Sequence, residues 1–304
     1  DLQGPVFAVP TPFRENDCSC DTAALRKFLQ FLSSKGGKNI VCCGTTGEFS
    51  SLTKQERETV TAECAQNFQG KVICHISTCC ISESVSLAKH AKQVGCAGVL
   101  LLPAFYYAGI GEDGVESFLA AVLKECELPC FLYNFPKHTG NTITPQMYGR
   151  LARAFPKVVA GIKDSSGDLD GAKAFKAVFP AGQVYVGNDG AAMKVLQDGL
   201  DGSVTGACNC LPEALVGLDA AVRKHAATGG GEAEATACQR RLLAWHAAFS
   251  ASEVQEIVAL KHAIVHRLSA EGFNDFPTAC RPPLTPPPDA GAAKLAEWLR
   301  SAEF

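Results

Sequence analysis

The chain lacks any hydrophobic run long enough to cross a bilayer. Its longest uncharged apolar stretches, Ala97–Pro103 and Val204–Leu211, fall far short of the ~20 residues a spanning helix needs. It also lacks a basic stripe. The 28 Lys and Arg residues are dispersed among 31 Asp and Glu, for a net charge of −3 and a pI near 6.2. Neither nucleic acid nor an anionic membrane is therefore an expected partner. None of the seven histidines stands in an H-E-x-x-H or paired spacing, and no C-x-x-C has a partner at zinc-site spacing, so no metal is expected. A Gly-rich phosphate loop after the first strand is missing too, which argues against an open nucleotide-binding sheet. No solenoid-type repeat is present.

Cysteine, by contrast, is abundant. There are fifteen, several close together: Cys18/Cys20, Cys42/Cys43, Cys79/Cys80 and Cys208/Cys210. The count is odd, and a chain of 304 residues needs no disulfide staples. Free thiols in a reducing compartment, the cytoplasm, are expected, many of them acting as small apolar filler. The sequence begins at Asp1 with no secretory leader, and a transit peptide already removed stays compatible with this reading.

The dominant rhythm is a short apolar run followed by an amphipathic segment. Gly4–Phe13 reads as the first strand. Thr22–Lys35 is helical, with Leu25, Phe28, Leu29 and Leu32 at three- and four-residue steps. Strands are expected at Ile40–Cys43, Val72–Ile76, Gly98–Pro103, Pro129–Asn134, Val158–Lys163, Gln183–Gly187 and Gly202–Thr205. Helices fill the gaps, and Thr53 with Glu56 makes a capping box for one of them. Eight such units predict an α/β fold, a TIM (β/α)₈ barrel over residues 1–228. Residues 229–304 read as a C-terminal helical extension packed on the barrel. Its candidate helices are Arg240–Phe249, Val254–Leu268 and Ala292–Ser301, with Arg281–Pro288 an extended crossover.

Barrel enzymes carry their chemistry at the C-terminal ends of the strands. There this chain places Gly44-Thr45-Thr46-Gly47-Glu48, Tyr106-Tyr107, Tyr133-Asn134-Phe135-Pro136, Lys163-Asp164-Ser165, Gly187-Asn188-Asp189 and Val204-Thr205. A lysine behind an apolar run sits near a low-dielectric core, where burial disfavours the ammonium. A neutral amine attacks a ketone to give an imine. A tyrosine beside it shuttles protons, and two threonines between glycines suit a carboxylate. Taken singly, each has a plainer reading. Lys163 would be a surface charge, Tyr133 a buried ring, Glu48 a helix-start charge and Asp189 a helix cap. Only their joint placement at one rim describes a 2-keto acid enzyme.

Gly44-Thr45-Thr46-Gly47-Glu48, Tyr133-Asn134-Phe135-Pro136 with Thr139-Gly140, and Gly161-Ile162-Lys163-Asp164, in this order and at strand-to-strand spacing, resemble the dihydrodipicolinate synthase / N-acetylneuraminate lyase family of Schiff-base barrels. The resemblance runs from Gly4 to about Leu215 and into the helical tail. It implies that Lys163 forms the imine and Tyr133 is the acid/base. It further implies that Thr45 relays protons toward Tyr106 of a neighbouring subunit, that Thr46 and Gly47 hold the keto acid's carboxylate, and that Val204 lines the site through its carbonyl. A homo-oligomer, a dimer or tetramer, is implied, with no cofactor and no metal. His138, preceded by Lys137, stands where the family's synthases carry an arginine. Ser165 offers a hydroxyl where the synthases tend to have a small apolar residue. Asp189 is followed by Gly190, so half of the acidic pair of sialic acid lyases is missing. Gly187 and Asp189 with Ser165 and His138 would face the substrate. Asn209-Cys210-Leu211-Pro212-Glu213 and Gly47-Glu48-Phe49 look more like the 2-keto-3-deoxy sugar-acid aldolases. The expected reaction is cleavage or formation of such an acid. Dihydrodipicolinate synthesis, N-acetylneuraminate cleavage and a silent ligand-binding barrel are the alternatives.

Overall fold

The computed structural model describes residues 2–301. Eight parallel strands close into a barrel in sequence order: β1 (Val6–Ala8), β2 (Asn39–Cys42), β3 (Lys71–His75), β4 (Gly98–Leu101), β5 (Cys130–Asn134), β6 (Val159–Asp164), β7 (Gln183–Val186) and β8 (Gly202–Thr205). Closure is the pairing of Val6 with Val204 and Phe7 with Thr205. The expected (β/α)₈ barrel is the observed one. Side chains alternate with the strand period of two. Val6, Val41, Ile73, Leu100, Phe131, Tyr133, Tyr185 and Val204 fill the interior. Their neighbours Phe7, Ile40, Val72, Val99, Leu132 and Val184 face the helices.

Side-chain caps open some of the helices. Asp21 accepts from the Ala24 N–H and opens α1 (Thr22–Ser34). The Thr53/Glu56 capping box opens α2 (Lys54–Asn67) as expected. α3 (Ile81–Gln93) and α4 (Gly111–Glu125) follow, then a single turn, α5 (Pro136–Thr139), which the sequence pattern did not announce. After it come α6 (Pro145–Ala154), α7 (Leu169–Val178), α8 (Ala192–Gln197) and α9 (Pro212–Thr228). Strand one is far shorter than the expected Gly4–Phe13. Pro10 and Pro12 have no N–H to give a ladder, and Phe13 instead makes an isolated antiparallel bridge to Cys20.

Three more helices complete the chain: α10 (Glu232–Ser252), α11 (Glu256–Ala270) and α12 (Asp289–Ser301). α10 is twice the length expected from its apolar spacing, because Glu232–Gln239 is polar on most faces yet packs along α9. One continuous apolar core joins barrel and tail, with Leu242, Trp245, Val258, Ala263 and Ile264 buried in it. Nine of the fifteen cysteines are buried. No helix among the described residues is long and apolar enough to cross a membrane.

Candidate active site

The register of β5 and β6 sets Tyr133 directly beside Lys163, and Asn134 beside Asp164. Each strand thus ends in one side chain pointing inward and one that ties the strands together. The Asn134 amide donates to Asp164 Oδ1 (2.7 Å), and Asp164 also accepts from the Ser166 hydroxyl (2.7 Å). Burial raises the Asp164 carboxyl, against these bonds. Lys163 is buried, at 7% exposure, and Tyr133 at 2%. The Lys163 Nζ lies 4.3 Å from the centre of the Tyr133 ring. Phe135 stacks on Tyr133 at 5.5 Å, and His138 packs on Phe135 at 4.2 Å. His138 is therefore linked to the site through two rings while itself exposed. Its partial burial, then the charge of Lys137, lowers its pKa.

Two glycines make room for the opposite wall. A Cβ on Gly187 would fall 2.0 Å from Ser165 Oγ and 3.3 Å from Lys163 Cε. A Cβ on Gly206 would fall 2.2 Å from Thr46 Oγ1. Ser165 and Gly187 thus flank Lys163, and Thr46 reaches across to the end of β8, where Val204 is buried. The turn carrying Thr45 and Thr46 closes by a bond from the Glu48 N–H to the Thr45 carbonyl (3.0 Å). Gly47 offers its carbonyl to the Thr11 hydroxyl at 2.8 Å. Glu48 itself, at φ 55°, is a non-glycine residue in the left-handed region.

Two of the expected site residues stand apart from this group. Tyr106 is 81% exposed, on the outside of the loop after β4, with Tyr107 packed edge-on at 5.4 Å. That loop is pinned by Asn141, whose amide donates to the carbonyls of Ala104 and Tyr107, both at 2.8 Å. Asp189 is buried and does not cap the following turn. Its carboxylate accepts from the Thr205 hydroxyl (3.1 Å) and the Cys208 thiol, and it meets His246 Nε2 of α10. Burial alone would raise Asp189, but the His246 bond and charge outweigh it and hold the carboxyl below its usual value. The same bond raises His246 above the ordinary histidine value, against its partial burial.

Sequence reasoning missed three residues near the rim. His75 lies inside the barrel, edge-on to Tyr133 at 6.2 Å and to Phe49 at 4.5 Å. Its Nδ1 bonds the Cys43 carbonyl at 2.9 Å, and burial lowers its pKa well below the usual value, helped by the charges of Arg57 and Lys163. His246 comes from the tail, as does Lys261, which pairs with Glu48 at 2.6 Å. The only available signal for the last was its setting. A charge within Ala259-Leu260-Lys261-His262-Ala263-Ile264 is on a buried helix face and needs a partner. Among the described residues no cluster of His, Cys, Asp and Glu could hold a metal ion.

Comparison with known proteins adds to this geometry. Residues 1–302 match the model of the dihydrodipicolinate synthetase family. A 4-hydroxy-tetrahydrodipicolinate synthase of Rhizorhabdus wittichii is 30% identical over 99% of both chains. A probable 2-dehydro-3-deoxy-D-pentonate aldolase of Escherichia coli, YjhH, is 29% identical over 75% of each. The crystal structure of YagE, a dihydrodipicolinic acid synthase family protein from Escherichia coli K12 in complex with pyruvate, superposes with a TM-score of 0.87. It covers 99% of this chain and 98% of that one at 24% identity.

Proposed function

Because this chain belongs to the dihydrodipicolinate synthetase family, a family of Schiff-base carbon–carbon lyases, we propose that it cleaves or forms a 2-keto-3-deoxy sugar acid through an imine on Lys163. The observation that carries the reading is the pairing of the buried Lys163 amine with the Tyr133 ring. The Lys163 amine adds to the C2 carbonyl, and water leaves as the protonated imine forms. Tyr133 takes the proton of the C4 hydroxyl. The C3–C4 pair then flows into the imine, giving an enamine and releasing an aldehyde. A proton returns to C3, and water hydrolyses the imine to free pyruvate and the amine. No metal or organic cofactor enters these steps.

Thr46 and Gly47 hold the carboxylate, Ser165 reaches the hydroxyls of the sugar half, and Gly187, Val204 and His138 line the space around it. The exposed Tyr106 serves a second copy of this chain, entering that copy's site to complete a relay with Thr45 in a dimer or tetramer. Synthesis of dihydrodipicolinate from pyruvate and aspartate semialdehyde is the second reading. The full-length match to a synthase favours it, with Lys137 and His138 as the carboxylate-binding cations.

Borohydride reduction with pyruvate present tests the shared step. A mass increase is expected on the peptide bearing Lys163, and none in Lys163→Ala. Tyr133→Phe should slow turnover by about 10²–10⁴-fold. Wild-type turnover in that variant would remove Tyr133 from the reaction. Assaying both aldehyde partners on one preparation separates the two readings.

A further inference from the structure

The turn that holds Thr45 and Thr46 ends in a buried charge whose partner lies more than two hundred residues away. Lys261, on α11, is fully buried. Its ammonium donates to Glu48 Oε1 (2.6 Å) and to the Ala279 carbonyl (2.7 Å), and lies 4.5 Å from the centre of the Phe13 ring. The other Glu48 oxygen accepts from the Arg281 N–H at 2.9 Å. Both carboxylate oxygens are thus occupied by the tail, from α11 and from the crossover after it. Glu48 is also the residue whose N–H closes the turn onto the Thr45 carbonyl, and it does so from a left-handed backbone conformation. Such a conformation persists only where the surroundings enforce it. A charge pair this dry is an expensive way to add stability, since an apolar pair of the same volume would do as well. What it adds is a fixed direction.

We infer that Lys261 is a positioning residue for keto-acid binding: through Glu48 it fixes the turn whose Thr46 hydroxyl and neighbouring N–H groups receive the substrate carboxylate. The inference rests on the Schiff-base reading above. Without Lys261, Glu48 has a buried charge to rehydrate. The turn then leaves the geometry that gathers its donors on one point, and a carboxylate loses charge-assisted bonds that a neutral ester makes only weakly.

The test compares borohydride trapping of pyruvate with that of methyl pyruvate, both below saturation, in the wild type, Lys261→Met and the double variant Glu48→Gln/Lys261→Met. The double variant removes both charges, so it keeps the interior neutral where the single one does not. Loss of charge-assisted bonds to the carboxylate predicts that the preference for pyruvate over its ester falls by about tenfold or more in both variants, while the ester is trapped as before. A merely structural role would lower both trapping rates together. Unchanged preference in either folded variant overturns the inference and leaves the Schiff-base reading intact. Should neither variant fold, the pair only holds the fold and the positioning role is withdrawn. No adduct in the wild type would sink the Schiff-base reading and this inference together.

Discussion

The two sides of the barrel mouth are fastened to the same helical tail in different ways. On the side of β2, Glu48 meets Lys261 with both side chains sealed from water. On the side of β7, Asp189 meets His246, whose ring keeps 31% of its surface exposed. The second fastening is also more spread out. Gln239, two turns before His246 on α10, donates to the carbonyls of Asp189 (3.2 Å) and Gly190 (3.0 Å), and its oxygen accepts from the Met193 N–H (2.8 Å). Thr205 and Cys208 add their hydrogen bonds. Only the second fastening contains a histidine, the side chain that changes charge near neutrality. The difference teaches that the tail holds both rims, one around a dry charge pair and one through a more spread and more exposed network.

Removing single partners should expose that asymmetry. Lys261→Met strands a carboxylate with almost no access to water and should cost roughly 3–5 kcal/mol in chemical denaturation. Asp189→Asn leaves the Gln239 bonds in place and an amide that still bonds to its neighbours, so about 1–3 kcal/mol is expected. Equal losses would mean that the two fastenings are alike and that the contrast drawn from exposure is wrong. Gly187→Ala probes the wall between them. Its methyl would collide with Ser165 Oγ, and the neighbouring Lys163 should lose trapping rate while the melting temperature changes little.

The barrel was legible in the sequence because a period of two and a period of 3.6 alternate cleanly along it. Lys163 and Tyr133 were legible for the same reason: an apolar run carries each to a strand end, and adjacent strands bring the ends together. The partners of acidic residues were not legible. Glu48 reads locally as a helix-start charge and Asp189 as a helix cap, since each precedes a turn. Their true partners, Lys261 and His246, lie 213 and 57 residues away, and no local pattern reports such a distance. Nor did spacing report the length of α10, whose polar first turns are held by α9 rather than by an apolar stripe of their own. Tyr106 marks a third limit. The chain leaves it exposed, and no local pattern reports what would cover it.

The smallest effect is the most specific to the comparison, and it concerns pH. His246 is raised above its ordinary value by Asp189. A histidine raised in the folded state contributes stability that is complete below its unfolded value of about 6.5. That contribution is lost as pH rises through the raised value. Asp189, held low, contributes stability present above about 3.9, lost only as pH falls through its lowered value. Glu256, at the start of α11, is raised by burial and then by Asp189, and lowered in part by His246 and by Lys163. It loses stability as pH climbs from about 4.3, at the acid end of the same window. His75, His138 and His262 are pushed down by burial, and their contributions to stability run the opposite way with pH. The raw curve therefore mixes several groups, and the informative quantity is the difference between wild type and His246→Gln, repeated in a Glu256→Gln background. Melting temperatures across neutral to mildly alkaline pH should show the wild-type advantage shrinking as pH rises. A His246 advantage that held steady or grew with pH would mean the imidazole is not charged against Asp189, and the two fastenings would differ in exposure alone.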